Sequence, residues 1–275
     1  IISLETGDIT SFEALVSWQH PERGLVLPDE FIPLADDTDM IRSLDQFVLE
    51  TATQQLAEWR REFPSFEALA VAVNCSSRNF VGPGVVDSIL GALEGAGLDG
   101  RHLDLELTES TLLEDPEVAI GIFNRLAEHG VGIVIDDFGT GFSSLSYLHR
   151  LPVSTLKIDR SFVSAMTTSN TDMVRSIIAL AKNLGFDVVA EGVERQAQVN
   201  HLREMGCNRA QGFLLGRPVD AAAATALLSK QAAAHDAAHV SSDEYRAGDR
   251  EDPVEHSSDP VMIEFVNVEA AETVR

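Results

Sequence analysis

The chain has 275 residues, is 44% hydrophobic, and sets 44 acidic side chains against 20 basic ones for a formal net charge of −24. That length supports a full core, and a single (β/α) barrel of about 250 residues would use most of it. So acidic a chain excludes a nucleic-acid polymer as partner, which needs a basic footprint, and a small anionic substrate would need help from metal ions.

In order, residues 1–4 read as a short strand and 11–18 as a second, which carries Glu13, an acid out of place in an apolar sheet. A short helix is predicted over 29–35. Leu44, Phe47, Val48, Leu56 and Trp59 fall at roughly helical spacing within 43–60, with Pro64 beyond, which predicts the first long outer helix. A strand over 69–73 runs to Asn74, and a helix over 85–93 is followed by Gly95 and Gly97. Residues 103–109 alternate apolar and acidic side chains, the pattern of a strand with two different faces. Asp115 and Pro116 open a helix that closes at Gly130.

The stretch 132–144 follows, with an apolar run at Ile133, Val134 and Ile135, then Asp136 and Asp137, then a loop containing Gly139 and Gly141. It reads as a strand buried on both faces that delivers two acids at its carboxyl end. Next come a strand over 154–159, a helix over 172–184 stopped by Gly185, and a strand over 186–190 leading to Glu191 and Glu194. A helix through Val199, Leu202 and Met205 ends at Gly206, and 209–214 supplies a last strand. Eight short strands separated mainly by helices predict a parallel α/β sheet closed into a barrel. The predicted division is a barrel over 1–228 and a tail over 229–275. Residues 221–238 are alanine-rich, with high helix propensity and little to pack, and the acidic stretch from His239 predicts disorder. His235 and His239 stand one helical turn apart without a third metal ligand nearby.

Cys75 and Cys207 give no disulfide framework and read as small buried apolar residues. No apolar run approaches the ~18 residues of a membrane span and no signal peptide opens the chain, which points to the cytoplasm for this segment. The chain opens on Ile1 in a strand-like run, so it is expected to start inside a larger polypeptide, which leaves room for a membrane anchor elsewhere.

In such a barrel Glu13, Asn74, Glu106, Asp136, Asp137, Lys157, Glu191 and Gln211 stand at or near the carboxyl ends of different strands, where ligands and catalytic groups collect. Five carboxylates in one mouth would repel one another unless positive charge sat among them. Oxygen ligands without Cys or His describe a hard cation, Mg²⁺ or Mn²⁺, and a pair of them suits in-line displacement at phosphorus. Lys157 could orient or deprotonate a water or neutralise phosphoryl oxygens. Taken alone, it could also serve as a structural ion-pair partner or form a Schiff base.

Phe12-Glu13-Ala14-Leu15-Val16 resembles the signature of the EAL family of cyclic di-GMP phosphodiesterases. The same family pattern is matched by Val73-Asn74-Cys75-Ser76, by 105–110 (Leu-Glu-Leu-Thr-Glu-Ser), by 136–141 (Asp-Asp-Phe-Gly-Thr-Gly), by 156–160, by 190–194 and by Gln211-Gly212-Phe213. The resemblance implies a TIM-like (β/α)8 barrel with an antiparallel first strand. It also implies hydrolysis of cyclic di-GMP to linear pGpG in bacterial second-messenger signalling, with Mg²⁺ or Mn²⁺, two per site. By position, Glu13, Asn74, Glu106 and Asp136 would hold one metal, with Asp136, Asp137 and Glu191 around the other. Lys157 would handle the attacking water, with Glu13 beside it in the catalytic set. Leu15, position 17 and Gln211 would line the substrate. Glu109 would anchor the loop after Asp137, which family members use in dimerisation and metal control, and Asp159 and Glu194 would support the site from outside. A homodimer and an upstream sensor or GGDEF domain complete what the resemblance implies.

The sequence departs from the family pattern at Ser17, where an arginine usually binds a substrate phosphate. A serine offers one neutral hydrogen bond in place of a charged fork, so weaker substrate binding is expected, and with it an alternative role as a receptor or regulatory module of low activity. The chain also starts after the tyrosine-glutamine-proline segment usual in the family's first strand, and Asp36 stands where glutamate is more usual.

Overall fold

A computed structural model describes residues 1–38, 40–80, 84–108, 116–140, 148–167, 171–244 and 264–265. Its centre is a nearly closed eight-stranded barrel of β1 (Ile2–Ser3), β2 (Ser11–Ala14), β5 (Ala70–Asn74), β6 (Leu103–Thr108), β7 (Gly132–Phe138), β8 (Thr155–Ile158), β9 (Asp187–Ala190) and β10 (Arg209–Ala210). Strands β2 and β5 to β10 pair in parallel in chain order. Strand β1 runs antiparallel to β10 and approaches β2 through the bridge between Ile2 and Ile9, which brings the two ends of the sheet together. The antiparallel first strand is thus as expected. Between β2 and β5 lies a hairpin, β3 (Trp18–His20) and β4 (Gly24–Val26), absent from the sequence reading, which ran β2 on to Trp18. At the edge of β2, β11 (Pro218–Val219) and β12 (Glu264–Phe265) add a two-residue extension.

The outer layer consists of α1 (Pro28–Asp36), α2 (Met40–Glu62), α3 (Ser77–Phe80), α4 (Val85–Ala96), α5 (Pro116–Glu128), α6 (Arg160–Ser164), α7 (Asp172–Leu184), α8 (Gln196–Met205) and α9 (Ala221–Glu244). Left-handed glycines stop α4, α7 and α8 at Gly97, Gly185 and Gly206.

Strand alternation decides what each barrel residue does. In β6, Leu103, Leu105 and Leu107 are buried, while Asp104, Glu106 and Thr108 occupy the other face. In β2, Phe12 packs on Trp59 of α2 with ring centroids 4.7 Å apart, which leaves Glu13 on the opposite face. In β8, Leu156 and Ile158 alternate with Thr155 and Lys157. Apolar side chains therefore meet the helical ring, and the polar set turns inward.

Helix α9 runs through the expected boundary at residue 228. The alanine-rich run does find something to pack against: Ala224 and Leu228 are fully buried, and Trp59 Nε1 donates to Thr225 Oγ1 at 2.8 Å. At the base of the barrel, Ile9 N donates to Gln231 Oε1 at 2.9 Å and His235 Nε2 lies 2.8 Å from Asp8 Oδ1. His235 is thus engaged in a helix-docking contact. Disorder is expected from His239, yet helix α9 continues to Glu244; beyond it, only residues 264–265 of the expected tail are among the described residues. Among the described residues, no helix is long and apolar enough to cross a membrane.

Candidate active site

At the carboxyl ends of the strands, four carboxylates converge on one ammonium. Lys157 Nζ lies 2.7 Å from Glu191 Oε1, 2.8 Å from Glu106 Oε2, 3.3 Å from Glu13 Oε2 and 3.4 Å from Asp136 Oδ2. Lys157, Glu106 and Glu13 are buried, with only 1%, 1% and 7% of their surface exposed. The elements explain the convergence, because Glu13, Glu106 and Lys157 each sit on the inward face of a strand flanked by buried apolar neighbours. Asn74, the last residue of β5, donates from Nδ2 to Glu13 Oε1 at 3.0 Å. Gln211, just past β10, donates from Nε2 to Glu13 Oε2 at 2.8 Å and to Glu191 Oε1 at 3.0 Å. Its own Oε1 is buried without a partner among the described residues.

Gln211 is placed by a close backbone approach: its N–H donates to Ala190 O, and Val193 N–H donates to Gln211 O. The next residue, Gly212, has φ +150, and a Cβ there would collide with the backbone of Val193. Only glycine fits.

Asp136 and Asp137 are neighbours in sequence, so a regular strand would point them to opposite faces. The register between β7 and β8 instead shifts between Ile135 and Phe138, a bulge in which Asp137 takes φ +53. Asp137 is the only non-glycine among the described residues with positive φ. The bulge lets both acids join Glu191, so that oxygens of Asp136, Asp137 and Glu191 all lie within 4.8 Å of one another. Asp136 Oδ1 also accepts from Asp137 N at 2.8 Å.

The charge balance leaves the cluster short of positive charge. For Lys157, burial opposes the charged form, but Glu106, Glu13, Glu191 and Asp136 outweigh it and hold the ammonium well above its ordinary pKa. Burial first, then the negative charge of Glu13, pushes Glu106 well up against the pull of Lys157. Glu191 is pushed up to about 8, mainly by burial and against the pull of Lys157. For Glu13 burial is also the largest influence, but Lys157 and hydrogen bonds from Gln211 and Asn74 overcome it and bring the carboxyl down to about 2. Burial and then Asp136 and Asp159 raise Asp137. Burial and mutual repulsion thus disfavour the charged forms of Glu106 and Glu191, so one ammonium does not offset the cluster by itself. An oxygen-only donor set with a buried unpartnered amide oxygen fits hard divalent cations. A Schiff base at Lys157 does not fit, because that chemistry needs a neutral amine and the surrounding carboxyl groups hold this one as an ammonium.

The remaining expected residues fall as follows. Asp159 caps α6, its Oδ1 accepting from Ser161 N at 3.0 Å and from Ser161 Oγ, and it adds to the negative field on Asp137. Leu15 and Ser17 are half-buried between β2 and β3. Glu194 is exposed in the turn into α8, where its N–H donates to Gln198 Oε1 at 2.9 Å, and it is not among the carboxylates contacting Lys157. Glu109 and the loop from Gly141 to Ser144 lie outside the described residues. Sequence reasoning missed Asp45 of α2, whose Oδ2 accepts from Ser76 N at 3.0 Å and Ser76 Oγ at 2.6 Å beside Asn74. The available signal was an acid four residues after Ile41 and three before Val48, on the helix's apolar stripe.

The model of the EAL domain family matches residues 1–218. The chain belongs to the EAL family. Its relatives include the bifunctional diguanylate cyclase/cyclic di-GMP phosphodiesterase MucR of Pseudomonas aeruginosa, 45% identical over 217 residues, an alignment covering 78% of this chain and 31% of MucR. The cyclic di-GMP phosphodiesterase NbdA of the same organism is 45% identical over 225 residues, 81% of this chain and 28% of NbdA. This EAL domain therefore spans about a third of the length of these curated relatives. Among solved structures, a MucR phosphodiesterase in complex with cyclic di-GMP superposes with a TM-score of 0.75 at 44% identity, covering 79% of this chain and 88% of that one.

Proposed function

We propose that this EAL domain hydrolyses cyclic di-GMP to linear pGpG with two divalent cations, Mg²⁺ or Mn²⁺, at the barrel mouth. The observation that carries the reading is the set of Glu13, Glu106, Asp136 and Glu191 around Lys157, completed by Asp137 and Asn74. Glu13, Asn74, Glu106 and Asp136 would hold one cation, and Asp136, Asp137 and Glu191 the other. Bound there, the cations would make a nucleophilic water available near neutral pH and stabilise the charge of in-line displacement at phosphorus. The chain's own residues do the rest. Gln211 ties Glu13 to Glu191 through one amide nitrogen, and so fixes the two carboxylates relative to each other. The Lys157 ammonium donates hydrogen bonds into the centre of the cluster, where it orients the attacking water and offsets charge on the phosphate oxygens. One phosphodiester bond breaks: the water oxygen joins phosphorus, the 3′ oxygen departs and takes up a proton, and the 5′ phosphate of pGpG is left.

The barrel mouth is lined by carboxylates and would carry cations, which suits a small dianionic dinucleotide and not a polymer. The greater length of the relatives, one of them also named a diguanylate cyclase, supports a sensor or GGDEF domain accompanying this one in a longer protein. A second reading, a cyclic di-GMP receptor with little turnover, is favoured by Ser17. Incubation with Mn²⁺ and cyclic di-GMP, resolved by chromatography, tests both: pGpG formation supports the enzyme, and tight binding without product supports the receptor.

A further inference from the structure

Helix α2 buries Ile41, Val48, Leu49, Ala52, Leu56 and Trp59, and on the same side it carries the half-buried acid Asp45. Asp45 reaches past the helix to the rim of the barrel. One of its oxygens, Oδ2, accepts both from Ser76 N at 3.0 Å and from Ser76 Oγ at 2.6 Å. Bonds of this kind, with an ionised acceptor, are the stronger hydrogen bonds of a protein. Ser76 lies two residues beyond Asn74. Between them, Cys75 N donates to Glu106 O at 2.9 Å, so the exit of β5 is tied to β6 on one side and to Asp45 on the other. Asn74 is the residue whose orientation this turn controls. Its Nδ2 is committed to Glu13 Oε1, which leaves Oδ1 as the free end of the carboxamide at the edge of the carboxylate cluster.

We infer that Asp45 is a positioning residue for cation binding: by holding Ser76 it sets the turn after β5 and thereby aims the Asn74 carboxamide. The inference rests on the phosphodiesterase reading, in which Asn74 is a cation ligand. Groups that orient a ligand without touching the metal typically control its affinity by about 10–100-fold.

The test measures Mn²⁺ binding directly, by the electron paramagnetic resonance of unbound Mn²⁺, for the whole chain and for Asp45→Ala, Asp45→Asn, Ser76→Ala, Asn74→Ala and the Asp45→Ala, Asn74→Ala pair. Asp45→Ala should weaken binding on the order of tenfold, and Asp45→Asn, which keeps an acceptor oxygen, should recover most of that loss. In the double variant Asp45→Ala should add little to Asn74→Ala, because the group it orients is already gone. Ser76→Ala removes only the hydroxyl contact and should give a smaller loss in the same direction, which keeps the test available if Asp45→Ala does not fold. A folded Asp45→Ala or Ser76→Ala protein that binds Mn²⁺ as tightly as the wild type overturns the inference, as does a loss that adds in full to that of Asn74→Ala. A wild-type chain that binds no Mn²⁺ removes the phosphodiesterase reading itself.

Discussion

Replacing Lys157 by methionine keeps the length of the side chain and removes the ammonium on which four carboxylates converge. Its contacts run from 2.7 Å to Glu191 to 3.4 Å to Asp136, and the lysine is 1% exposed. Deleting one partner of a buried ion pair costs ~3–5 kcal/mol because the other charge stays behind without compensation, a cost that applies in full at alkaline pH, where the carboxyl groups are most charged. For a folded unit of this size ~1 kcal/mol corresponds to ~2–4 °C, so melting in EDTA at alkaline pH should fall by ~6–20 °C. The carboxylates can relieve the loss by taking up protons, as Glu106 and Glu191 already tend to do. With the ammonium gone their folded pKa values lie further above the unfolded ones. The deficit should therefore be small below the unfolded value of about 4.5 and grow as pH rises. Saturating Mn²⁺ should restore part of the stability while leaving turnover abolished. Melts followed by circular dichroism at pH 5 and pH 8, with EDTA and with Mn²⁺, read all of this. A variant as stable as wild type in EDTA at pH 8, or one with the larger deficit at pH 5, would refute the claim that Lys157 neutralises the cluster.

Introducing Ser17→Arg should tighten cyclic di-GMP binding on the order of ten- to a hundredfold, the worth of a ~1.5–3 kcal/mol charged hydrogen bond. Calorimetry checks it, and an unchanged Kd would show that position 17 does not meet a substrate phosphate. Because Glu191 is pushed up to about 8, chiefly by burial, a proton competes with the cation there. Mn²⁺ affinity should rise as pH climbs through that value and level off above it, with protons released on binding; an affinity flat across about pH 6.5–9 contradicts this. The same shift means the metal-free folded state holds the Glu191 proton more tightly than the unfolded chain does. That contribution to stability is present below about 4.5 and is lost as pH rises through about 8. The net charge of −24 should repel a dianionic substrate, so at saturating metal the rate should rise with moderate inert salt, and a fall would count against the screening argument.

The barrel was legible because its strands alternate so plainly. Leu103 to Thr108 and Thr155 to Ile158 each interleave buried apolar residues with polar ones that turn inward, and the sequence shows that directly. Pattern alone reached its limit where the chain leaves the sheet. The stretch from Ser11 to Trp18 looks like one strand, yet the barrel keeps only the part up to Ala14, and Trp18 starts a separate hairpin. The last strand is similarly cut to Arg209–Ala210, because Gly212 turns the chain against Val193 as soon as Gln211 is delivered. Two adjacent acids at a strand end hinted at a site, but a period of two cannot say how both enter it. The answer lies in the bulge and in the left-handed backbone of Asp137, a distortion of register with no periodic signature. Asp45 escaped notice for a related reason: its partner, Ser76, is 31 residues away on another element.

The most direct test of the account is hydrolysis itself. The chain is incubated with cyclic di-GMP and Mn²⁺ beside a Glu13→Gln variant and an EDTA control, with product followed over time. The account predicts linear pGpG from the wild type alone, abolished by EDTA and by Glu13→Gln. A folded wild-type chain that binds Mn²⁺ and cyclic di-GMP but forms no pGpG would contradict it.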